Sequence, residues 1–207
     1  MSERVRASFD RIAEQYAADF ADELTRKPYD TALLRLFAEG CPAGPVLDVG
    51  CGPAGHVGRF VADLGRRVVG LDLAPRALGV ARRLNDPTLP FVAGDVRALP
   101  FAAGAFAGVL AFYSLIYEAD PTAALREMRR VLRPEGKLLV AVHAGHGVQR
   151  FTDYKGVEVD VEVHLHAPRT FAPQVVDAGL RVERMDLRPP YPFEHKTERL
   201  YVLGRAG

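Results

Sequence analysis

Apolar residues recur along this chain first at helical spacing, then in short runs that alternate with helical stretches. Phe9, Ile12, Ala13, Tyr16, Ala17, Phe20 and Leu24 fall on one face of a helix over residues 8–24. Lys27-Pro28 interrupts that stripe. A second helix is predicted from about Asp30, with Leu33, Leu34 and Phe37 inward and Gly40 as its stop. Both helices precede the first strand, so they are expected as a cap or side layer. From residue 45 the rhythm changes. Strands are predicted at 46–49, 68–71, 89–93, 106–112 and 138–142, with helical stripes at 57–64, 75–84 and 121–132 between them. Asp120-Pro121 is a good helix start, a capping carboxylate followed by proline at the first helical position. Repeated units of this kind imply a parallel, doubly wound sheet with helices on both faces.

The tail breaks the rhythm. Val157, Val159, Val161, Val163 and Leu165 alternate with Glu158, Asp160, Glu162, His164 and His166, the pattern of a half-buried strand with one ionisable face. A helix at 170–178 ends at Gly179, and strands follow at 180–187 and 198–204. Having no long helix between them, these two should form an antiparallel hairpin closing one sheet edge. Pro189, Pro190 and Pro192 stiffen its loop. The fold class is therefore α/β: a doubly wound, mostly parallel seven-stranded sheet with a terminal antiparallel hairpin and N-terminal cap helices.

Composition narrows the chemistry. The 207 residues suffice for one domain with a real core, and a net charge of +1 offers no field for nucleic acid or an anionic membrane. Two cysteines, Cys41 and Cys51, are too few for a disulfide framework or a thiolate metal cage, so reduced thiols and a cytoplasmic protein are expected. The N-terminus opens on charged and polar residues, and no signal peptide is expected. No run approaches 18 apolar residues.

The strand at 46–49 breaks into Gly50-Cys-Gly-Pro-Ala-Gly55, and a helical pattern starts beyond it. Glycines at such a turn let backbone approach a ligand, and the following helix aims free N–H groups at the same place. The string satisfies GxGxxG, and Asp72 stands at ribose-contact distance downstream, so taken alone it reads as a dinucleotide fingerprint. Asp48 argues otherwise. A carboxylate just before the glycines repels a pyrophosphate and suits a cationic or zwitterionic ligand.

Five ordered blocks carry a resemblance. Val-Leu-Asp-Val-Gly-Cys-Gly at 46–52 resembles the first motif of the class I, Rossmann-like, S-adenosylmethionine-dependent methyltransferases. The likeness continues through Val-Val-Gly-Leu-Asp-Leu-Ala-Pro at 68–75, Phe-Val-Ala-Gly-Asp-Val at 91–96, and the blocks at 99–111 and 131–140. It implies that Gly50 and Gly52 bring backbone against the methionine part of S-adenosylmethionine while Asp48 holds its ammonium end. Asp72 would accept the ribose hydroxyls, Leu73 would pack on the adenine, Asp95 would bond its amino group, and Val96 would add an apolar or backbone contact. Ala54 stands where the family commonly has a third glycine, and Ala74 replaces a helix-capping Ser. The resemblance divides the single methyltransferase domain into a helical cap (1–44), a cofactor-binding core (45–145) and acceptor-side elements with closing strands (146–207).

The acceptor is less legible. The Asn/Asp-Pro-Pro-Tyr/Phe signature of one class of N-methyltransferases is absent after the fourth strand, where Ala111-Phe-Tyr-Ser-Leu-Ile-Tyr117 stands, so a small-molecule acceptor is expected and no nucleic acid. Ligands of open α/β sheets sit beyond the carboxyl ends of the strands. Candidates there are Tyr113, Ser114 and Tyr117 after the fourth strand, His143 and His146 after the fifth, and Tyr16 from the cap. No catalytic base is named by the sequence. Glu162, His164 and His166 share a strand face, which invites a metal reading, yet most such faces are solvated and no metal is assigned. Two other functions compete: an NAD(P)-dependent oxidoreductase, and a non-catalytic methyltransferase-like binding subunit whose mark would be decay of the cofactor motif.

Overall fold

The computed structural model describes residues 3–207. Helix α1 (Glu3–Phe20) is followed by a short 3-10 turn (Glu23–Arg26) and helix α2 (Pro28–Gly40). Strand β1 (Val46–Val49), α3 (His56–Asp63), β2 (Val68–Asp72), α4 (Pro75–Leu84), β3 (Phe91–Ala93) and β4 (Phe106–Phe112) then alternate. After a 3-10 turn (Leu115–Tyr117) come α5 (Thr122–Val131), β5 (Leu132–Ala144), β6 (Val148–Tyr154), β7 (Val157–His164), α6 (Pro168–Asp177), β8 (Leu180–Arg188) and β9 (Glu198–Ala206). Among these residues no helix is long and apolar enough to cross a membrane.

Seven strands form one sheet in the order β3-β2-β1-β4-β5-β9-β8. The first five run parallel, with Val46 opposite Val68 on one side and Gly108 on the other. β9 is antiparallel to both of its neighbours, so the terminal hairpin inserts its second strand and leaves β8 at the edge. Burial explains that order, because β9 is inward-facing along nearly its whole length while β8 is mostly exposed. Sheet side chains alternate between two cores. Leu47, Val49, Val109, Ala111, Leu138 and Val140 face α5, α6 and β7, whereas Val46, Leu110, Leu139 and Ala141 face α2, α3 and α4. The strand order reverses between β1 and β4, and a doubly wound sheet opens a crevice at that point.

The strand read from the valines at 157–165 does not join the main sheet. It pairs with β6, which the sequence pattern did not reveal, in a separate two-stranded sheet. β6 is mostly exposed and carries no apolar alternation to announce it. Lys155 and Gly156, at φ 52 and 85, make the tight hairpin turn between the two strands. The strand also ends at His164. His166 lies beyond it, turned inward and buried, with Nε2 on the Leu115 carbonyl at 3.2 Å. The expected shared face of Glu162, His164 and His166 therefore does not form. The other differences are of extent: α1 starts at Glu3 and stops at Phe20, and α5 starts at Thr122, whose N–H donates to Asp120 Oδ1 at 3.0 Å.

The β6–β7 hairpin lies on α1. Ser8, fully buried, accepts the Asp160 N–H at 2.8 Å and donates to the Arg4 carbonyl at 2.9 Å. The Tyr154 hydroxyl donates to Asp19 at 2.5 Å. A second tie joins the other cap helix to the β8–β9 hairpin. Asp30 on α2 has no exposed surface; its Oδ2 lies 3.3 Å from Arg188 and its Oδ1 accepts the Tyr201 hydroxyl at 3.1 Å. Glu194 extends the network to Arg188 at 2.9 Å and to Lys27 at 3.3 Å, and Lys27 reaches Glu23 at 2.7 Å. Burial pushes the Asp30 carboxyl up even with Lys27 and Arg188 beside it.

Removing one member of a buried ion pair strands the other, at a cost of about 3–5 kcal/mol. Asp30→Ala is accordingly expected to lower the urea-unfolding free energy by about that amount. A loss below about 1 kcal/mol, the range of an ordinary surface change, would show that the network does not hold the cap to the hairpin.

Candidate ligand cleft and acceptor-side residues

At the reversal of strand order the carboxyl ends of β1, β2 and β3 meet the segment after β4. The cleft there is lined by Val49 and Gly50, by Leu71, Asp72 and Leu73, by Gly94, Asp95 and Val96, and by Ser114 and Glu118. The glycine turn is tied to β2 from the start, since the Leu71 carbonyl accepts N–H groups from Gly50 at 2.7 Å and Cys51 at 3.0 Å. Gly50 adopts φ +71, and a Cβ built on it would stand 2.3 Å from the Ser114 Cβ. Only a residue without a side chain lets these two segments touch. Just before Ser114, Tyr113 adopts φ 55, a left-handed conformation uncommon for a bulky residue.

Asp72 joins the two turns. Its Oδ2 accepts the Gly52 N–H at 3.0 Å and its Oδ1 accepts the Ala74 N–H at 2.9 Å. A carboxylate has about four acceptor positions, so both oxygens retain capacity toward the cleft. Burial pushes this carboxyl up against the lowering effect of the backbone donors. Paired hydroxyls are the natural complement of such a group. Leu73 and Val96, both half-buried, give the neighbouring wall an apolar surface suited to a flat ring. Asp95 also lines the cleft, but its carboxylate is partly engaged by Arg97, through the backbone N–H at 2.9 Å and the guanidinium at 2.6 Å, and is held low by it. Ser114 Oγ is buried against Gly50 with no hydrogen-bond partner among the described residues, a polar atom waiting for one.

Asp48 sits elsewhere than its neighbours in the motif. It points beneath the turn toward α3, where a Cβ on Gly58 would lie 3.0 Å from its Oδ2. That oxygen has no partner among the described residues. Burial raises its pKa to about 7, the Gly58 N–H working against the shift and Asp72 adding to it.

The acceptor-side candidates other than Ser114 separate into groups. Tyr16 and Tyr117 come together, sharing Phe9, whose ring lies 5.5 Å from Tyr16 and 5.2 Å from Tyr117. Phe20 and Tyr154 complete this aromatic cluster at 4.2 and 5.8 Å from Tyr16, and Asp72 is close enough to raise both Tyr16 and Tyr117 further after burial. Tyr113 and His143 form a second pair at 5.5 Å. The Tyr113 hydroxyl is committed to Tyr201 at 3.0 Å and Asp30 at 3.3 Å, so it packs the ion network. His146 is exposed in the β5–β6 loop, apart from both groups. Two features escaped the sequence reading, and the first of them lines the cleft. Glu118 follows the 3-10 turn as an acid with no motif around it. His56, the first residue of α3, meets Glu23 at 2.9 Å, a contact spanning 33 residues that no local pattern announces.

Comparison with known proteins places these observations. Residues 47–140 match a family model described as a methyltransferase domain. A demethylmenaquinone methyltransferase of Renibacterium salmoninarum is 37% identical over 67% of this chain and 58% of its own length. A malonyl-[acyl-carrier protein] O-methyltransferase of Serratia marcescens is 35% identical over 79% of this chain and 61% of its own length. The chain thus spans about three fifths of these relatives. The solved structure of a 1,6-didemethyltoxoflavin-N1-methyltransferase of Burkholderia thailandensis, with 1,6-didemethyltoxoflavin and S-adenosylhomocysteine bound, superposes with a TM-score of 0.73. It covers 97% of this chain and 86% of its own at 23% identity, a likeness of fold.

The Asp48 environment predicts a pH dependence. The folded carboxyl holds its proton to about pH 7, whereas an unfolded Asp releases it near about 4. The fold therefore binds the extra proton across that window, and stability falls as pH rises through it. Asp48→Asn should flatten the decline, gaining about 3 kcal/mol over the wild type between pH 4.5 and 7.5. Denaturant curves of the two proteins that stay parallel across this range would contradict the assignment.

Proposed function

Residues 47–140 belong to the methyltransferase-domain family, within a chain of class I methyltransferase fold, and from that premise we propose that the protein transfers the methyl group of S-adenosylmethionine to a small-molecule acceptor. The observation that carries the reading is Asp72, a buried carboxylate held by two turn N–H groups with acceptor capacity left toward the cleft. Leu73, Val96 and Asp95 supply what an adenine needs, an apolar face and an acceptor. Gly50 and the unpartnered Ser114 Oγ supply a close backbone approach and a polar contact for the amino-acid end. Asp48, turned toward Gly58 of α3, is not among the residues that line the cleft.

S-adenosylmethionine supplies an electrophilic methyl group, which an acceptor atom takes as the carbon–sulfur bond breaks and the electron pair stays on sulfur. The protein's part is to align the two in contact, which accounts for much of the rate in such a displacement. We assign that part to the helical cap (1–44) and the elements after residue 145, closing over the core (45–145). Tyr16, Phe9, Phe20, Tyr117 and Tyr154 present rings and hydroxyls rather than free charge. With the net charge of +1 and the names of the relatives, neither of which is a nucleic-acid enzyme, that wall supports a small organic acceptor group over a nucleic acid. Cys41 and Cys51, both free and buried, fit the cytoplasm.

Titration calorimetry tests the assignment. S-adenosylhomocysteine should bind the wild type, and Asp72→Ala should weaken it by about 1–3 kcal/mol, the cost of losing a buried hydrogen-bond partner. An unchanged dissociation constant would remove the ribose role from Asp72. Binding of NAD(H) without any response to S-adenosylhomocysteine would turn the reading toward an oxidoreductase.

A further inference from the structure

We propose that His143 is a fixed hydrogen-bond donor to the acceptor molecule, through Nε2–H, and that the acceptor therefore carries a carbonyl-type oxygen or an unprotonated ring nitrogen beside the atom methylated. This rests on the methyl-transfer reading above and adds the acceptor's chemical class to it.

Thr197, in the segment leading into β9, is 9% exposed. Its Oγ1 lies 2.8 Å from Arg199 Nη1 and 2.7 Å from His143 Nδ1. A guanidinium only donates, so the hydroxyl accepts from Arg199 and must place its own hydrogen elsewhere. His143 Nδ1 is the remaining partner among the described residues, and a buried hydroxyl does not leave its hydrogen unbonded without penalty. Nδ1 is thus the acceptor of the pair, and the neutral ring carries its hydrogen on Nε2.

The surroundings fix the charge state as well. His143 stands at the end of β5, its ring 5.5 Å from Tyr113 and 5.9 Å from His195. Around it are Arg199 of β9, Lys27 ahead of α2, and Glu194 and His195 of the β8–β9 loop. The carboxylate among these, Glu194, is already engaged by Arg188 and Lys27. Burial first, then Arg199, His195 and Lys27, hold the imidazole down at about 3. A ring that is neutral at every working pH, with its only lone pair given to Thr197, takes no proton from a substrate. It can give a hydrogen bond. Nε2 has no protein partner among the described residues and is not sealed from solvent. Sites built to hydrogen-bond a substrate discriminate strongly against analogues that lack the matching group.

Two measurements on the full chain decide this. The first is nitrogen NMR of 15N-histidine protein with S-adenosylhomocysteine, titrated from pH 5.5 to 8.5. The His143 signals should report the Nε2–H tautomer and stay constant; an Nδ1–H tautomer, or an imidazolium titrating in that range, overturns the proposal. The second compares two probes of one shape, 4-hydroxyacetophenone and 4-ethylphenol, in the presence of S-adenosylhomocysteine. The wild type should bind the ketone at least tenfold tighter, His143→Leu should lose that preference, and His143→Gln, which keeps an N–H donor, should retain part of it. A preference undiminished in His143→Leu overturns the proposal. S-adenosylhomocysteine affinity should be the same in all three proteins; its absence from the wild type would fail the methyl-transfer reading instead, by a separate readout.

Discussion

The structure depends on one carboxylate at the end of β2. Asp72 receives an N–H from the glycine turn after β1 and another from the turn into α4, so two loops that diverge from a parallel sheet are held together by a single side chain. Both of its oxygens lie almost out of water, and desolvation raises the carboxyl although backbone donors favour its charge. Such a group is costly for a fold to keep unless something else uses it. The use proposed for it is ligand binding through the remaining acceptor capacity, and the topology puts it at the reversal of strand order, where a doubly wound sheet opens.

The acceptor side is built on a different principle. Lys27, Arg188 and Arg199 are balanced by Glu23, Asp30 and Glu194, and the group spans the 3-10 turn, α2 and the loop between β8 and β9. Arg188 and the Tyr191 N–H hold Glu194 at about 2 although burial opposes it. A network this closely paired has little charge to spare for a substrate. The proposed recognition surfaces are the aromatic cluster around Tyr16 and the uncharged polar edge at His143. The cap is fastened twice, by this network to the terminal hairpin and by Ser8 and Asp19 to the β6–β7 hairpin. Cap and hairpins are therefore packed to one another through buried polar contacts at both ends.

Much of the core was legible because its signals are local. Buried parallel strands read as apolar runs, and the glycine turn, Asp72 and Asp95 stand in order along 46–96. The valine alternation at 157–165 named a strand correctly and left its partner unnamed. Period two reports which side chains turn inward, and says nothing of the partner strand; β6 pairs with it while carrying no alternation of its own. His166 was misplaced because the strand ends two residues before it. Tyr113 and Tyr117 looked equivalent in sequence, yet the left-handed backbone at Tyr113 sends its hydroxyl to Asp30 and Tyr201 while Tyr117 joins the aromatic cluster. Contacts such as His56 with Glu23 or His143 with Thr197 span 33 and 54 residues, and only folding brings them together.

The role proposed for the cleft between Gly50 and Val96 is to hold the nucleoside and amino-acid ends of one ligand, organised by Asp72. A crystal structure of the chain with S-adenosylhomocysteine tests it most directly. The account predicts both ribose hydroxyls on the Asp72 carboxylate, the adenine between Leu73 and Val96, and the carboxyl end of the ligand at Gly50 and Ser114. A ligand bound elsewhere, or one whose ribose makes no contact with Asp72, would contradict it.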